Sequence, residues 1–184
     1  MNTMYYMRHG VTRSNQLDRW CGGGSEVPLI PEGHEQAKKA GQIAVAQGLN
    51  FDVIISSPRQ RAIQSAHHVA DCIGYPHDKI VINPLFDERD FGELEGKPHD
   101  DDLMAQYALS EAAVDRYRGE TLQELQQRAD TALEYLYELE DTTGLVVAHG
   151  TFGRALHRSL HGLPIENRDC QLPNAQIVRF IPVS

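Results

Sequence analysis

Two short apolar runs in this chain end on the same dipeptide, and that recurrence restricts the fold more than any other feature. Met4-Tyr5-Tyr6-Met7 passes through Arg8 into His9-Gly10, and Leu145-Val146-Val147-Ala148 passes straight into His149-Gly150. Four apolar residues in a row, bounded by glycine, read as a buried strand. Near-continuous apolar strands belong to parallel sheets covered on both faces, and ligands collect at the carboxyl ends of such strands. A cation, an imidazole and a flexible glycine at that edge suggest that His9 attacks phosphorus while the chain holds a phosphoryl group against it.

The remaining segments alternate accordingly. Val11 to Glu32 is polar and broken by Gly22-Gly23-Gly24, Pro28 and Pro31, so it reads largely as loop. His34 to Gln47 carries Ala37, Ala40, Ile43 and Ala44 at helical spacing, and Phe51 to Ile55 is a second buried strand. Ser56-Ser57-Pro58 predicts a serine-capped helix from about Arg59 to Ile73, stopped by Gly74 and Pro76. Ile80 to Ile82 is a short strand, and Pro84 to Asp102 is an acidic, glycine-containing loop. Helical pattern dominates from Leu103 to Glu140. Its apolar stripe is Leu122, Leu125, Ala129, Ala132, Leu133, Leu136 and Leu139, preceded by a capping box of Thr121 and Glu124. The helix after Gly150 stops at Gly162, and Pro182 places the last strand, Ile177 to Val183, at a sheet edge. The expected fold is one α/β domain over 1–184, a three-layer α/β/α sandwich on a mainly parallel sheet.

Charge sharpens the functional question. With 17 basic and 26 acidic residues the formal net charge is -9, and no basic stripe interrupts it, which argues against a nucleic-acid partner. An acidic protein that binds phosphate must concentrate its cations locally, so each arginine's position carries information. Cys21, Cys72 and Cys170 are odd in number and widely spaced, as expected of free thiols in a reducing cytoplasm. No segment approaches membrane-spanning length, so a soluble cytoplasmic protein with no membrane partner is expected; oligomeric state is not encoded legibly.

Three strand ends share one chemistry. Two finish in His-Gly, and a third opens the helix that carries Arg59 and Arg61 in its first turn. Helix N-termini present free N–H groups and a positive dipole end, and arginine adds planar paired donors, so neighbouring strands would form a phosphate pocket. At this point the chain resembles the histidine phosphatase superfamily, in its phosphoglycerate-mutase-like branch. Arg8-His9-Gly10 with Thr12 and Asn15 matches the opening motif, and Ser56-Ser57-Pro58-Arg59-Gln60-Arg61-Ala62 the second, in a register that makes Arg61 rather than Arg59 the clamp. Pro28-Leu29, Gly33 and Ala37 resemble the entry to the first helix. Phe86-Asp87-Glu88-Arg89 resembles the acid-donor motif, and Gly119-Glu120-Thr121 with Arg128 and Val147-Ala148-His149-Gly150 match two further signatures. Val11, Glu26 and Ile30 depart from commoner residues of the family.

The resemblance implies two-step phosphoryl transfer without metal or cofactor. Neutral His9 becomes a phosphohistidine that water then hydrolyses. Arg8, Arg61 and a protonated His149 hold the equatorial oxygens, Asn15 and the backbone at Gly150 and Thr151 add donors, and Glu88 shuttles the proton. It also implies a helical or loop cap at about 97–120. Glu88 stands among Asp87, Asp90, Glu93 and Glu95, so a solvated acidic loop competes with its catalytic assignment. His157 and His161 have metal-ligand spacing but suit a helix C-terminus equally, and His34, His67, His68, His77 and His99 read as ordinary surface or core residues. A small phosphomonoester is the expected partner and hydrolysis the expected reaction. Phosphoglycerate-type mutase activity and non-catalytic phosphoprotein binding are the alternatives. Asp100-Asp101-Asp102 would repel a strongly anionic substrate if it faced the pocket.

Overall fold

The computed structural model describes residues 3–100, 102–103, 105, 111–139 and 142–180. Its centre is a five-stranded sheet built from β1 (Thr3–Arg8), β2 (Val53–Ser56), β3 (Val81–Ile82), β4 (Thr143–Ala148) and β5 (Ile177–Phe180), in the order β3-β2-β4-β1-β5. β1 runs parallel to β4, β4 to β2 and β2 to β3, while β5 lies antiparallel on the edge beside β1. The sheet is therefore mainly parallel. Register sets Arg8 opposite Ala148 and Ser56 opposite Val147, so the three strands terminate side by side.

The apolar runs are continuous because both faces are covered. Tyr6, Val146 and Ala148 pack on one side against Leu125, Ala129 and Phe152, from α5 (Leu122–Tyr137) and α6 (Gly150–His161). Met7, Leu145 and Val147 pack on the other against Ala40, Ala62 and Val69, from α2 (Pro31–Ala46) and α3 (Gln60–Ile73). The Thr121–Glu124 capping box forms, and Gly162 ends α6 at φ 60°. Leu125, Ala129, Ala132 and Leu136 of the expected stripe are buried, with Leu122, Leu133 and Leu139 packed at its margin.

Several local expectations need correcting. α2 begins at Pro31, three residues before the expected start, because proline suits the first helical position. Within the expected loop, Thr12 and Asn15 form a capping box around one turn, α1 (Arg13–Gln16). α3 begins at Gln60 with no side-chain cap; Ser57 bonds elsewhere. The acidic segment holds short 3-10 turns at Pro84–Phe86 and Gly92–Leu94. Trp20, Phe91, Leu94 and Val114 form a small separate core, which seats α4 (Glu111–Tyr117) beside the sheet's carboxyl edge. Part of the expected cap, with Asp101, and Pro182 in the last strand lie outside the described residues. Among the described residues no helix is long and apolar enough to cross a membrane.

Candidate active site

The two His-Gly junctions are bound to each other. His9 N–H donates to Ala148 O at 2.9 Å, and the rings of His9 and His149 meet edge-on with centroids 5.2 Å apart. His9 Nδ1 lies 2.7 Å from the Gly10 carbonyl, so in the neutral ring Nδ1 carries the proton and Nε2 keeps its lone pair. Burial, then Arg61 and Arg8, hold His9 well below the ordinary imidazole value; the Gly10 carbonyl opposes them weakly. Gly10 must be glycine, since a Cβ there would stand 2.3 Å from the Gly33 carbonyl oxygen of α2. Its N–H donates to Ser65 Oγ of α3 at 3.0 Å, fixing the turn from the other side.

His149 is fully buried and held at two levels. Tyr6 Oη donates to its carbonyl at 2.6 Å and accepts from its N–H at 3.0 Å, so one hydroxyl from β1 satisfies both backbone groups where β4 becomes α6. The ring's Nε2 meets Ser57 Oγ at 2.7 Å, and Ser57 in turn lies 3.4 Å from Asp87 Oδ1. The resemblance implies a protonated His149 on the bound phosphoryl group. In the free protein burial above all, followed by Arg61, His9, Arg8 and Arg59, pushes His149 well below the ordinary value and favours the neutral ring. A phosphate dianion would act in the opposite direction.

The arginines of the second motif separate cleanly. Arg59 faces outward, bridging Asp87 at 2.8 Å and Glu26 at 2.7 Å. Arg61 is fully buried and donates to the carbonyls of Ser25 at 2.7 Å and Gly22 at 3.0 Å. Arg8 lies against Gly150, where a Cβ would come within 3.3 Å of the guanidinium. Among the described residues, Arg8 Nε, Arg61 Nε and His149 Nδ1 are buried nitrogens without a protein partner. Buried polar atoms are almost always paired, and these three fall on residues expected to bind phosphate, although Arg158 Nη2 and His157 Nδ1 are similarly without a protein partner.

Glu88 is not part of a solvated loop. Its carboxylate accepts from the N–H groups of Arg89 (2.9 Å), Phe152 (2.8 Å) and Thr151 (3.1 Å). Thr151 N–H, expected to meet a substrate oxygen, is thus engaged by Glu88, because a carboxylate suits a helix N-terminus. Arg128 holds the backbone that carries Glu88: Nη1 donates to the Leu85 and Asp87 carbonyls at 3.0 and 2.7 Å, while Glu120 pairs with the guanidinium through both oxygens at 2.9 and 2.8 Å. Asn15 spends its carboxamide oxygen on Thr12 N–H at 3.1 Å.

Arg8, Asn15, Glu88, Gly150 and Thr151 line one cavity of about 360 Å³, whereas His9, Arg61 and His149 are buried and do not contribute to its lining. The expected site residues nonetheless converge. Four contributors escaped the sequence. Tyr6 and Ser57 hold His149, Asn174 Nδ2 donates to the His9 carbonyl at 2.8 Å, and Arg154 lines the cavity. Arg154 had one signal, its place one turn into a helix that opens on His-Gly. Asn174 had none, since the contact spans 165 positions. Cys21 and His99 also line the cavity, but burial raises the Cys21 thiol, which disfavours the reactive thiolate. The other histidines pair with one another: His34 Nδ1 meets His68 Nε2 at 2.8 Å, and His67 stacks on His77 at 4.1 Å. His157 and His161 lie 4.4 Å apart, and among the described residues no group of three metal-ligating side chains forms.

A 2,3-bisphosphoglycerate-dependent phosphoglycerate mutase of Mesorhizobium japonicum is 33% identical over 174 residues, covering 87% of this chain and 82% of the relative. A solved Escherichia coli protein described as a putative alpha-ribazole-5'-P phosphatase is 28% identical with a TM-score of 0.74, over 89% of this chain and 81% of that one. The Entamoeba histolytica phosphoserine phosphatase, solved with 3-phosphoglyceric acid, is 25% identical with a TM-score of 0.79, over 98% and 91%. The family model for the histidine phosphatase superfamily (branch 1) matches residues 4–182, and with the paired His-Gly junctions at one sheet edge this shows that the chain belongs to that superfamily.

Proposed function

We propose that this protein hydrolyses a small phosphomonoester through a phosphohistidine at His9. The observation that carries this is the set of orphaned buried nitrogens on Arg8, Arg61 and His149 around a neutral His9 whose Nε2 lone pair is free. Nε2 attacks phosphorus in line; the N–P bond forms as the P–O bond to the leaving alcohol breaks. Arg8 and Arg61 take the equatorial charge, joined by His149 once the dianion raises its proton affinity. Asn15 adds an amide donor, and Glu88 protonates the leaving oxygen. Water then attacks the same phosphorus, Glu88 takes its proton, and inorganic phosphate leaves. The segment around α4 acts as the cap over this cavity.

Hydrolysis of p-nitrophenyl phosphate by the wild type and by His9→Ala tests the nucleophile. The variant is expected to lose about 10³-fold or more in kcat and all acid-labile, ³²P-trappable phosphoenzyme; equal rates would sink the assignment. Phosphoglycerate mutases among the relatives favour transfer to a second hydroxyl as the alternative reading. Incubation with 3-phosphoglycerate separates the two, because a hydrolase releases inorganic phosphate whereas a mutase interconverts phosphoglycerates without release.

A further inference from the structure

Most cations around the site are compensated. Arg59 pairs with Asp87 and Glu26, Arg128 with Glu120, and Arg61 donates to the carbonyls of Gly22 and Ser25. Arg154 differs. It is half-buried on α6, lines the 360 Å³ cavity together with Arg8, and its guanidinium meets only Thr151 Oγ1, at 3.3 Å, with no carboxylate paired to it among the described residues. In a chain of net charge -9 an uncompensated arginine at a cavity wall is conspicuous. It is also costly to its neighbours. Arg8 is lowered chiefly by burial, with Arg154 adding repulsion against the pull of Glu88. Arg158 is pushed down to about 10 by burial and then by Arg154.

The cavity has room for more than a phosphoryl group. At roughly 30 Å³ per water it holds about twelve water volumes, enough for several further heavy atoms of a substrate. Among the described residues, Asp100 and Asp102 of the triplet that argued against an anionic substrate are not part of the cavity lining, whose carboxylates are Asp18 and Glu88. Asp100 Oδ1 instead accepts from Leu103 N–H at 2.8 Å, and Asp102 is exposed. An anionic group beside Arg154 would relieve the repulsion felt by Arg8 and Arg158 while making charge-assisted hydrogen bonds.

We propose that Arg154 binds a second anionic group of the substrate, so that the site prefers phosphomonoesters carrying a carboxylate or a further phosphate over those of neutral alcohols. This inference rests on the hydrolase chemistry proposed at His9. The test compares kcat/KM of the full chain and of Arg154→Met and Arg154→Lys on four substrates. Phosphoserine supplies a carboxylate, fructose 1,6-bisphosphate a second phosphate, glycerol 3-phosphate neither, and p-nitrophenyl phosphate an activated leaving group. The wild type is expected to favour one of the first two over glycerol 3-phosphate, and which one identifies the anion. Arg154→Met should cut that preference about 10- to 100-fold, mostly through KM, with Arg154→Lys recovering part of it.

An unchanged preference overturns the proposal. So does an equal loss on all four substrates, which would move Arg154 to the transferring phosphoryl group. If the wild type hydrolyses none of them, the hydrolase proposal fails instead. Calorimetric binding of phosphoserine against glycerol 3-phosphate then decides the role of Arg154, and equal affinities overturn it.

Discussion

The two halves of the site are built by different means. His9, Arg61 and His149 stand on the ends of β1 and β4 and on the first turn of α3, where sheet register and helix packing leave them at 4%, 0% and 0% exposure. Glu88 stands on irregular backbone between two 3-10 turns, and its place is fixed by polar contacts from other parts of the chain: Arg128 below and the N-terminus of α6 above. In the proposed mechanism, the groups that address phosphorus are set by regular structure. The group proposed to reach the leaving oxygen rides on a segment whose shape depends on side-chain hydrogen bonds. The first half should therefore fail by losing a ligand, the second by losing its support.

The largest expected effect separates the two arginines of α3's opening. Arg61→Met removes a buried donor from the transferring group and should lower kcat on p-nitrophenyl phosphate by about 10²- to 10³-fold. Arg59→Met breaks pairs with Glu26 and with Asp87, which touches the site only through Ser57 and at 3.8 Å from His149 Nε2, and should cost less than about tenfold. Comparable losses in the two variants would remove the distinction between an inward clamp and an outward brace.

Support of the second half is tested next. Arg128→Met leaves the Leu85, Asp87 and Glu88 carbonyls ungripped and Glu120 unpaired. It should resemble Glu88→Gln, with kcat on an alkyl phosphate down about 10- to 100-fold and a smaller loss on p-nitrophenyl phosphate, whose leaving group needs little protonation. Urea unfolding should show about 3 kcal/mol of lost stability from the broken, largely buried pair. A variant that is destabilised but keeps the alkyl-to-aryl ratio of the wild type would show that Arg128 does not position Glu88.

The same contrast explains what the sequence disclosed. The strands were legible because a parallel sheet covered on both faces needs apolar residues at every position, as Leu145 to Ala148 show. Convergence of the His-Gly ends followed from that topology. The helix α3 starts within a residue of its expected place, but the serine cap does not form because Ser57 is spent on His149 and Asp87, which local pattern does not encode. A solvated acidic loop competed with the proton-shuttle assignment of Glu88 because its partners, Thr151 and Phe152, lie more than sixty positions away. Asn174 was silent for the same reason, whereas Arg154 had only its place one turn into α6 as a signal.

Between the two halves lies the junction of β4 and α6, where Tyr6 and Gly153 are mutually dependent. A Cβ at Gly153 would stand 2.8 Å from Tyr6 Cε1 and 2.5 Å from Leu172 Cδ1, so α6 tolerates a helix-interior glycine to admit the ring. Gly153→Ala should cost about 1–3 kcal/mol by overpacking, despite alanine's better helix propensity. Tyr6→Phe keeps the ring, removes the tie to His149, and should cost about 1–3 kcal/mol by leaving the buried His149 N–H unsatisfied, since the His149 carbonyl still accepts from Gly153 N–H. Tyr6→Leu in the Gly153→Ala background should recover part of the packing loss in thermal unfolding. Strict additivity would show that the two residues do not share that space.

Acid provides the mildest test of the first half. His9 and His149 are both held well below the ordinary imidazole value, chiefly by burial and then by Arg61. The unfolded chain protonates these imidazoles near about 6.5 while the native one does not, so the unfolded state binds more protons and stability must fall as pH drops below that value. Each group contributes up to about 1.4 kcal/mol per pH unit until its native value is reached. Urea midpoints taken from pH 7.5 down to 5.5 should therefore decline, and His149→Gln should flatten the slope by about one imidazole's share. Activity should behave differently over the same range. His9, the proposed nucleophile, is held in its neutral form in the native protein, so kcat/KM on p-nitrophenyl phosphate should show no acid limb centred at about pH 6.5. A limb there, with an unchanged stability slope in the variant, would mean that the site does not hold its imidazoles neutral.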